Sequence, residues 1–248
     1  MYEPRLYRNG MGKGRFRSFR IAIAETDLWI GMNPDLPGEK EKQKLKKYIT
    51  DLRRQLEEYI ALYPAFLESH IPLNVLHSDP EFIRKMKLAG IASSTGPMAA
   101  VAGAFAMLAG KFLEQIFPCR EFIIENGGDI FMKIEEEIRI QPFIKGQEVF
   151  HGLALKITAE EKYLSVCSSS GTFGHSFSYG KADLVTVISQ DAMLADAWAT
   201  SLANQIHIKE DVQRVTEVLP ENIQAVLAVK DNKMGYKGPF LFEISAPN

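Results

Sequence analysis

Cysteine is scarce in this chain: Cys119 and Cys167 are the two thiols in 248 residues. Two cysteines do not make a disulfide framework. Histidine is nearly as sparse, and His70, His77, His151 and His207 stand at no metal-ligand spacing to one another or to the cysteines. Core or surface roles suit those four. An excess of one charge is also missing, since 29 Lys and Arg face 31 Asp and Glu for a formal net charge of −2. Nothing in that balance requires nucleic acid as a partner, and the small net charge with ample apolar content excludes general disorder. No uninterrupted run approaches the ~18 to 20 apolar residues of a membrane span. The most apolar helix candidate, Ala99 to Ala109, is short and rich in small residues, so a core or ligand-facing role suits it better. The basic start carries no apolar stretch behind it, which leaves a secretion signal unsupported. The expectation is a cytoplasmic protein with no membrane partner. Internal repeats and low-complexity segments are absent as well.

What remains is a composition 46% hydrophobic, ordinary for a globular enzyme and sufficient for one large or two modest domains. Arg5, Arg8, Lys13, Arg15, Arg17 and Arg20 cluster at the start and read as a solvated arm over residues 1–14. Two strands follow, Phe16 to Ala24 and Leu28 to Met32. From Glu39 to Leu62 apolar residues recur at helical spacing, and Pro64 ends the helix. Asp79 and Pro80 read as N-cap and first residue of a short helix to about Leu88. Pro97 opens a long helix to about Ile116. Strands are expected at 121–125, 130–134, 137–141, 151–157, 163–167 and 183–188. Helices then run from Ala192 to Gln205 and from about Lys209 to Val218, with closing strands near 225–229 and 240–244. Helices early and strands late argue an α+β domain with a central antiparallel or mixed sheet.

Three stretches carry candidate chemistry. On the helix from Ala192, Asp196 and Thr200 stand four residues apart and so share a face. Ala192, Ala195, Ala199 and Ala203 crowd that side, where methyl groups admit a bulky ligand. Two oxygens there suit Mg²⁺, which prefers oxygen and binds through one or two carboxylates plus substrate phosphates. The alternative is a helix packed through Leu194, Trp198 and Leu202, with Asp196 merely near its positive end. Asn126-Gly127-Gly128-Asp129 lies between apolar strands and reads as a hairpin turn. The same glycines would let a ring or a pyrophosphate approach the backbone, with Asp129 free to bind ligand hydroxyls. Gly96, Met98 and Ala99 open the apolar helix, whose first amides suit a phosphate, although an ordinary start capped by Ser94 or Thr95 serves equally. In Ser168 to His175 the serines and His175 invite a nucleophile–base reading, but no third group orients the His, and the stretch also reads as a plain loop. Cys167 beside it is a conceivable thiol and, more simply, a buried small hydrophobe.

The order of these motifs resembles the ApbE superfamily, the FAD:protein FMN transferases: a strand into Gly-Gly-Asp, Ser170-Gly171 with a following His, Val185-Thr186-Val187, then Ala195-Asp196-Ala197-Trp198-Ala199-Thr200. The Glu25-Thr26-Asp27-Leu28 and Gly96-Pro97-Met98-Ala99-Ala100 segments look like its UPF0280 branch. The resemblance covers roughly residues 15 to 245. It implies a two-lobed ApbE fold, Mg²⁺ held by Asp196 and Thr200, FAD against Gly127, Gly128, Asp129, Ser170 and Gly171, and a protein acceptor. Asp196 and His175 would be the catalytic groups. Two departures stand against transfer. The stretch Ala99 to Gly103 lacks the family's Lys and Asp, and His175-Ser176-Phe177-Ser178-Tyr179-Gly180 lacks its Asp-Pro and Thr. The rival expectation is therefore a pocket retained for another anionic metabolite, as suggested for UPF0280 proteins in sulfur metabolism. The Ala-rich helix 97–116 could equally line a pocket or a homo-oligomer contact.

Overall fold

The computed structural model describes residues 5–12, 14–142, 152–159, 162–171 and 180–244. Its centre is an eight-stranded sheet in the order β1 (Arg17–Ile23), β2 (Thr26–Asn33), β3 (Glu121–Asn126), β4 (Asp129–Lys133), β7 (Leu164–Ser169), β8 (Leu184–Ser189), β9 (Ala225–Lys230) and β10 (Lys233–Lys237). Every neighbouring pair is antiparallel, which decides between the two sheet types left open. A second sheet orders β11 (Leu241–Ile244), β6 (Leu153–Ile157) and β5 (Ile138–Ile140).

Side-chain alternation builds three layers from this sheet. Leu28, Ile30, Phe122, Ile124, Phe131, Val185 and Val187 enter the core shared with the helices. Their neighbours Trp29, Ile123, Met132, Leu184 and Ile188 point the other way, into a core with Leu155 and Ile157 of the small sheet. Both faces are thus covered, and the strands read as nearly continuous apolar runs. On the helical face lie α1 (Glu39–Leu62), α2 (Ala65–Glu68), α3 (Glu81–Ser93), α4 (Val101–Ile116), α5 (Ala192–Asn204) and, near β9 and β10, α6 (Asp211–Glu217). Tyr48 of α1 stacks on Phe112 of α4 with ring centroids 4.1 Å apart.

Several expectations change. Asp79 does not cap α3, whose side-chain cap is absent. It is buried instead with Tyr59, whose hydroxyl donates at 2.6 Å, and with Lys87 at 2.8 Å. A buried carboxylate needs a cation more than a helix needs a cap. α2 and β10 have no counterpart in the sequence reading. The helix from Pro97 begins as a 3-10 turn, Pro97–Ala100, before α4. Taken whole, Pro97–Ile116 has the length and mean hydropathy (1.3) of a membrane span, contrary to the estimate from uninterrupted runs; half of that window is buried inside the fold. The basic arm is not solvated at Arg8. Its side chain is 8% exposed and paired with the buried Asp27 and Glu125.

Candidate functional site

The Gly-Gly turn is a two-residue hairpin, because Asn126 pairs with Asp129. Gly127 (φ +71°) and Gly128 (φ +107°) both take positive φ, a conformation that explains why glycine occupies both places. Alternation along β4 sends Asp129 to the helical side with Phe131. Asn126 Nδ2 donates to the Ala102 carbonyl at 3.1 Å and ties the turn to the start of α4.

α5 begins at the N-cap Asp191, which accepts from the Met193 and Leu194 amides at 2.8 and 3.2 Å. Its alanine face is filled by protein. A Cβ added at Gly103 would overlap the Ala192 carbonyl oxygen and come within 3.0 Å of Asp196 Cβ, so α4 and α5 meet backbone to backbone. This crossing lays the Asp196 carboxylate on the N-terminus of α4. Gly103 N–H donates to Asp196 Oδ2 at 2.9 Å, and Ala102 N–H also reaches the carboxylate. An anion at a helix N-terminus satisfies amides that lack helical partners. The amides so occupied, Ala102 and Gly103, lie beyond the Gly96–Ala100 stretch expected to meet a phosphate. Gly96 is a contact glycine too, since a Cβ there would overlap the Ser69 carbonyl. Met98 and Ala99 are half-buried against the core.

Asp129, Cys167 and Asp196 form a buried polar cluster between the turn, β7 and α5. Asp129 Oδ1 accepts from Ser168 N–H at 3.1 Å, and the Cys167 thiol bonds to Asp129 and approaches the Ala192 carbonyl at 3.6 Å. Burial, then the charge of Asp196, pushes Asp129 well above the usual carboxylate range. Burial also raises Asp196, to about 7, against the lowering effect of the Gly103 and Ala102 amides. Those amides make Asp196 the better anion, so a proton shared by the pair rests on Asp129. Burial and both carboxylates keep Cys167 a neutral thiol rather than a reactive one. Thr200, one turn beyond Asp196, is half-buried, and its hydroxyl has no partner among the described residues.

Among the described residues no three His, Cys, Asp or Glu are arranged to hold a metal ion. The buried carboxylates of Asp129 and Asp196 are hard oxygen donors of the kind Mg²⁺ takes, an ion that keeps several waters and needs no closed protein cage. Two buried carboxylates that repel each other are a donor set a hard cation relieves.

Ser170 and Gly171 follow directly on β7. Ser170 Oγ donates to the Ala182 carbonyl at 3.4 Å, and Gly171 N–H to the same oxygen at 2.9 Å. A Cβ at Gly171 would overlap the Gly180 carbonyl, and one at Gly180 the Ala203 carbonyl at the end of α5. These glycines serve close chain packing. His175 lies outside the described residues.

The sequence reading missed the network behind the turn. Arg8 Nε donates to Glu125 Oε2 at 2.5 Å, and its Nη1 and Nη2 donate to Asp27 Oδ1 and O at 2.9 and 2.8 Å. Tyr7 Oη and Gly128 N–H both donate to Glu125 Oε1 at 2.8 Å. Arg5 Nη1 donates to the Asp27 carbonyl at 2.8 Å. The one signal was the Arg5–Arg8 spacing, a turn of helix, which nothing local connects to Asp27 or Glu125.

Comparison with known proteins is consistent across sequence and structure. The sequence family described as AbpE bacteria matches residues 8–222. A UPF0280 protein of Methanocaldococcus jannaschii is 32% identical over 226 residues, covering 88% of this chain and 89% of that protein. A UPF0280 protein of Methanococcus maripaludis is 38% identical over 194 residues, covering 77% and 76%. Among solved structures, the flavinyl transferase ApbE of Pseudomonas stutzeri, in its apo form, superposes with a TM-score of 0.57 at 10% identity, covering 90% of this chain and 94% of that one. The ApbE protein of Thermotoga maritima gives 0.52 at 13% identity, covering 87% and 94%. At these identities the structural likeness concerns the fold.

Proposed function

Because this chain belongs to the AbpE bacteria family and is a UPF0280 protein by its relatives, we propose that it binds a flavin nucleotide, FAD, with the help of Mg²⁺. The observation that carries this reading is the convergence of the Gly127–Gly128–Asp129 turn, Asp196 and the start of α4, with the two carboxylates buried side by side. Asp196 and Thr200 would hold the ion, with Asp129 close by. When bound, Mg²⁺ would neutralise the pyrophosphate charge of the nucleotide. The glycines leave the backbone open to the ligand, and Gly128 has free space where a side chain would stand.

If FMN transfer is retained, a Thr or Ser hydroxyl of an acceptor protein attacks the FMN phosphorus and AMP departs with the bridging oxygen. His175 is the candidate acceptor for the hydroxyl proton. Positioning and charge stabilisation supply the rate. A second reading, with the same pocket serving another anionic metabolite, is favoured by one specific observation: Ala99 to Gly103 carries neither the Lys nor the Asp of the transferase helix.

The test is titration of the purified protein with FAD, with and without Mg²⁺, followed by fluorescence and calorimetry. Mg²⁺-dependent binding should be lost in Asp196→Ala. It should also be weakened at least tenfold in Asp196→Asn, which keeps an acceptor for the Gly103 amide while removing the charge. Binding that survives both changes removes the metal assignment. A wild-type protein that ignores high-micromolar FAD supports the second reading.

A further inference from the structure

Among the described residues, the ion-pair network behind the Gly-Gly turn holds more cations than anions. Three guanidinium groups, Arg5, Arg8 and Arg20, face two carboxylates, Asp27 and Glu125. Arg8 is consumed by both acids. Arg20 grips Asp27 through Nε at 2.5 Å and Nη2 at 2.9 Å. Arg5 has the loosest hold on these carboxylates. Its nearest carboxylate oxygen, Asp27 Oδ2, is 3.7 Å away, and its bond through Nη1 goes to a backbone carbonyl. Its side chain is 23% exposed, and neither Nη2 nor Nε has a partner among the described residues.

One of these donors, Nη2, lies against the turn. An ideal Cβ at Gly127 would lie 3.2 Å from Arg5 Nη2, whereas one at Gly128 would meet nothing within 4 Å. The guanidinium therefore flanks one glycine while the space over the other stays open. Glu125 cannot turn to neutralise it, because its two oxygens are held by Arg8, Tyr7 and the Gly128 amide. A guanidinium whose Nη2 and Nε are unengaged by the described residues, beside an open backbone, suits the paired oxygens of a phosphate.

We propose that Arg5 is part of the ligand site and that it receives a phosphate group of the ligand across the Gly127–Gly128 turn. The inference rests on the nucleotide reading of that turn and adds a residue to it. Tyr7 and Arg8 then act as positioning residues, since they fix Glu125, which in turn holds the Gly128 amide.

Three probes separate the outcomes: FAD, riboflavin, which has no phosphate, and inorganic pyrophosphate, each titrated with Mg²⁺ into the full chain. Arg5→Gln keeps an N–H donor for the Asp27 carbonyl and removes the charge, so the fold should persist with an unchanged melting temperature. Binding of FAD and of pyrophosphate should weaken at least tenfold in Arg5→Gln and recover in part in Arg5→Lys, while riboflavin binding stays within twofold. Unchanged FAD and pyrophosphate binding in Arg5→Gln would overturn the assignment. So would an equal loss of riboflavin binding, which marks a structural role, or a wild-type protein that binds neither phosphate-bearing probe. Arg5-dependent binding of pyrophosphate without any binding of FAD would uphold the phosphate site and reject the flavin reading alone.

Discussion

Gly103 decides how close the two central helices come. Its missing side chain lets the Ala192 carbonyl of α5 rest on α4, and that contact brings Asp196 onto the Ala102 and Gly103 amides. Replacing it tests packing and site together. Gly103→Ala puts a methyl group onto a carbonyl oxygen that belongs to rigid helix, so neither partner gives way cheaply. Overpacking of this kind costs about 1–3 kcal/mol, or several degrees in melting temperature for a chain of this length. The same change should weaken Mg²⁺-dependent ligand binding, because α4 cannot retreat without moving the amides that hold Asp196; scanning calorimetry and ligand titration of one preparation read both effects. Sequence reasoning reached Asp196 and Thr200 because four-residue spacing on a helix is a local rule. It assigned the alanine face to a ligand because the filler, Gly103, lies 93 residues away from Asp196 and no local periodicity announces the crossing. Asp129 was legible for a similar reason: Asn-Gly between apolar strands dictates a turn, and the turn places the next residue.

At the scale of elements, local rules carried far. The apolar spacing of Leu45, Ile49, Leu52, Leu56 and Tyr59 marks α1, and all five are buried as that spacing requires. The arm before β1 is the counterexample. A basic stretch outside any periodic pattern has no local reason to dock, and the carboxylates that capture it, Asp27 and Glu125, sit inside strands whose patterns speak only of burial. Their burial makes the arm necessary, because an unpaired interior carboxylate is costly. Arg8→Ala should therefore destabilise the protein although Arg8 belongs to no regular core element. Breaking a buried pair costs about 3–5 kcal/mol; here Asp27 keeps Arg20, and Glu125 keeps Tyr7 and the Gly128 amide, which puts the loss near the lower figure. Urea denaturation should show a lower midpoint with an unchanged slope, since the core surface exposed on unfolding is the same. A midpoint equal to that of the wild type would mean the arm is an adornment.

For the whole molecule, acid tests how the arm, the sheet and the loop after β4 are joined. Glu121, at the start of β3, accepts from Arg15, from Asn33 Nδ2 at 2.7 Å and from the Glu135 amide at 2.8 Å, so one carboxylate fastens four segments. Burial acts to raise its pKa, yet these partners outweigh burial and hold it down at about 2, against 4.5 for a free glutamate. A depressed carboxylate contributes stability that is present above the unfolded value and lost as pH falls towards the folded one, because the unfolded chain takes up the proton first. The buried pair Asp129 and Asp196 has the opposite sign. Its folded pKa values are raised, so its contribution is present below the unfolded value near 3.8 and is lost as pH climbs towards about 7. Below pH 4.5 the two overlap, because the unfolded aspartates titrate near 3.8, but the pair is common to the wild type and a Glu121 variant and cancels in their difference. From pH 4.5 down to 2.5 the folded pair is already protonated, and the loss attributable to Glu121 should amount to roughly 2 kcal/mol. Glu121→Gln should begin less stable at pH 6 and lose less than the wild type over that acid range, at constant ionic strength. Parallel curves for the two proteins would show that Glu121 is not the link through which acid loosens the sheet, and would shift attention to the Asp27 and Asp79 clusters, whose carboxylates are also held below their ordinary values.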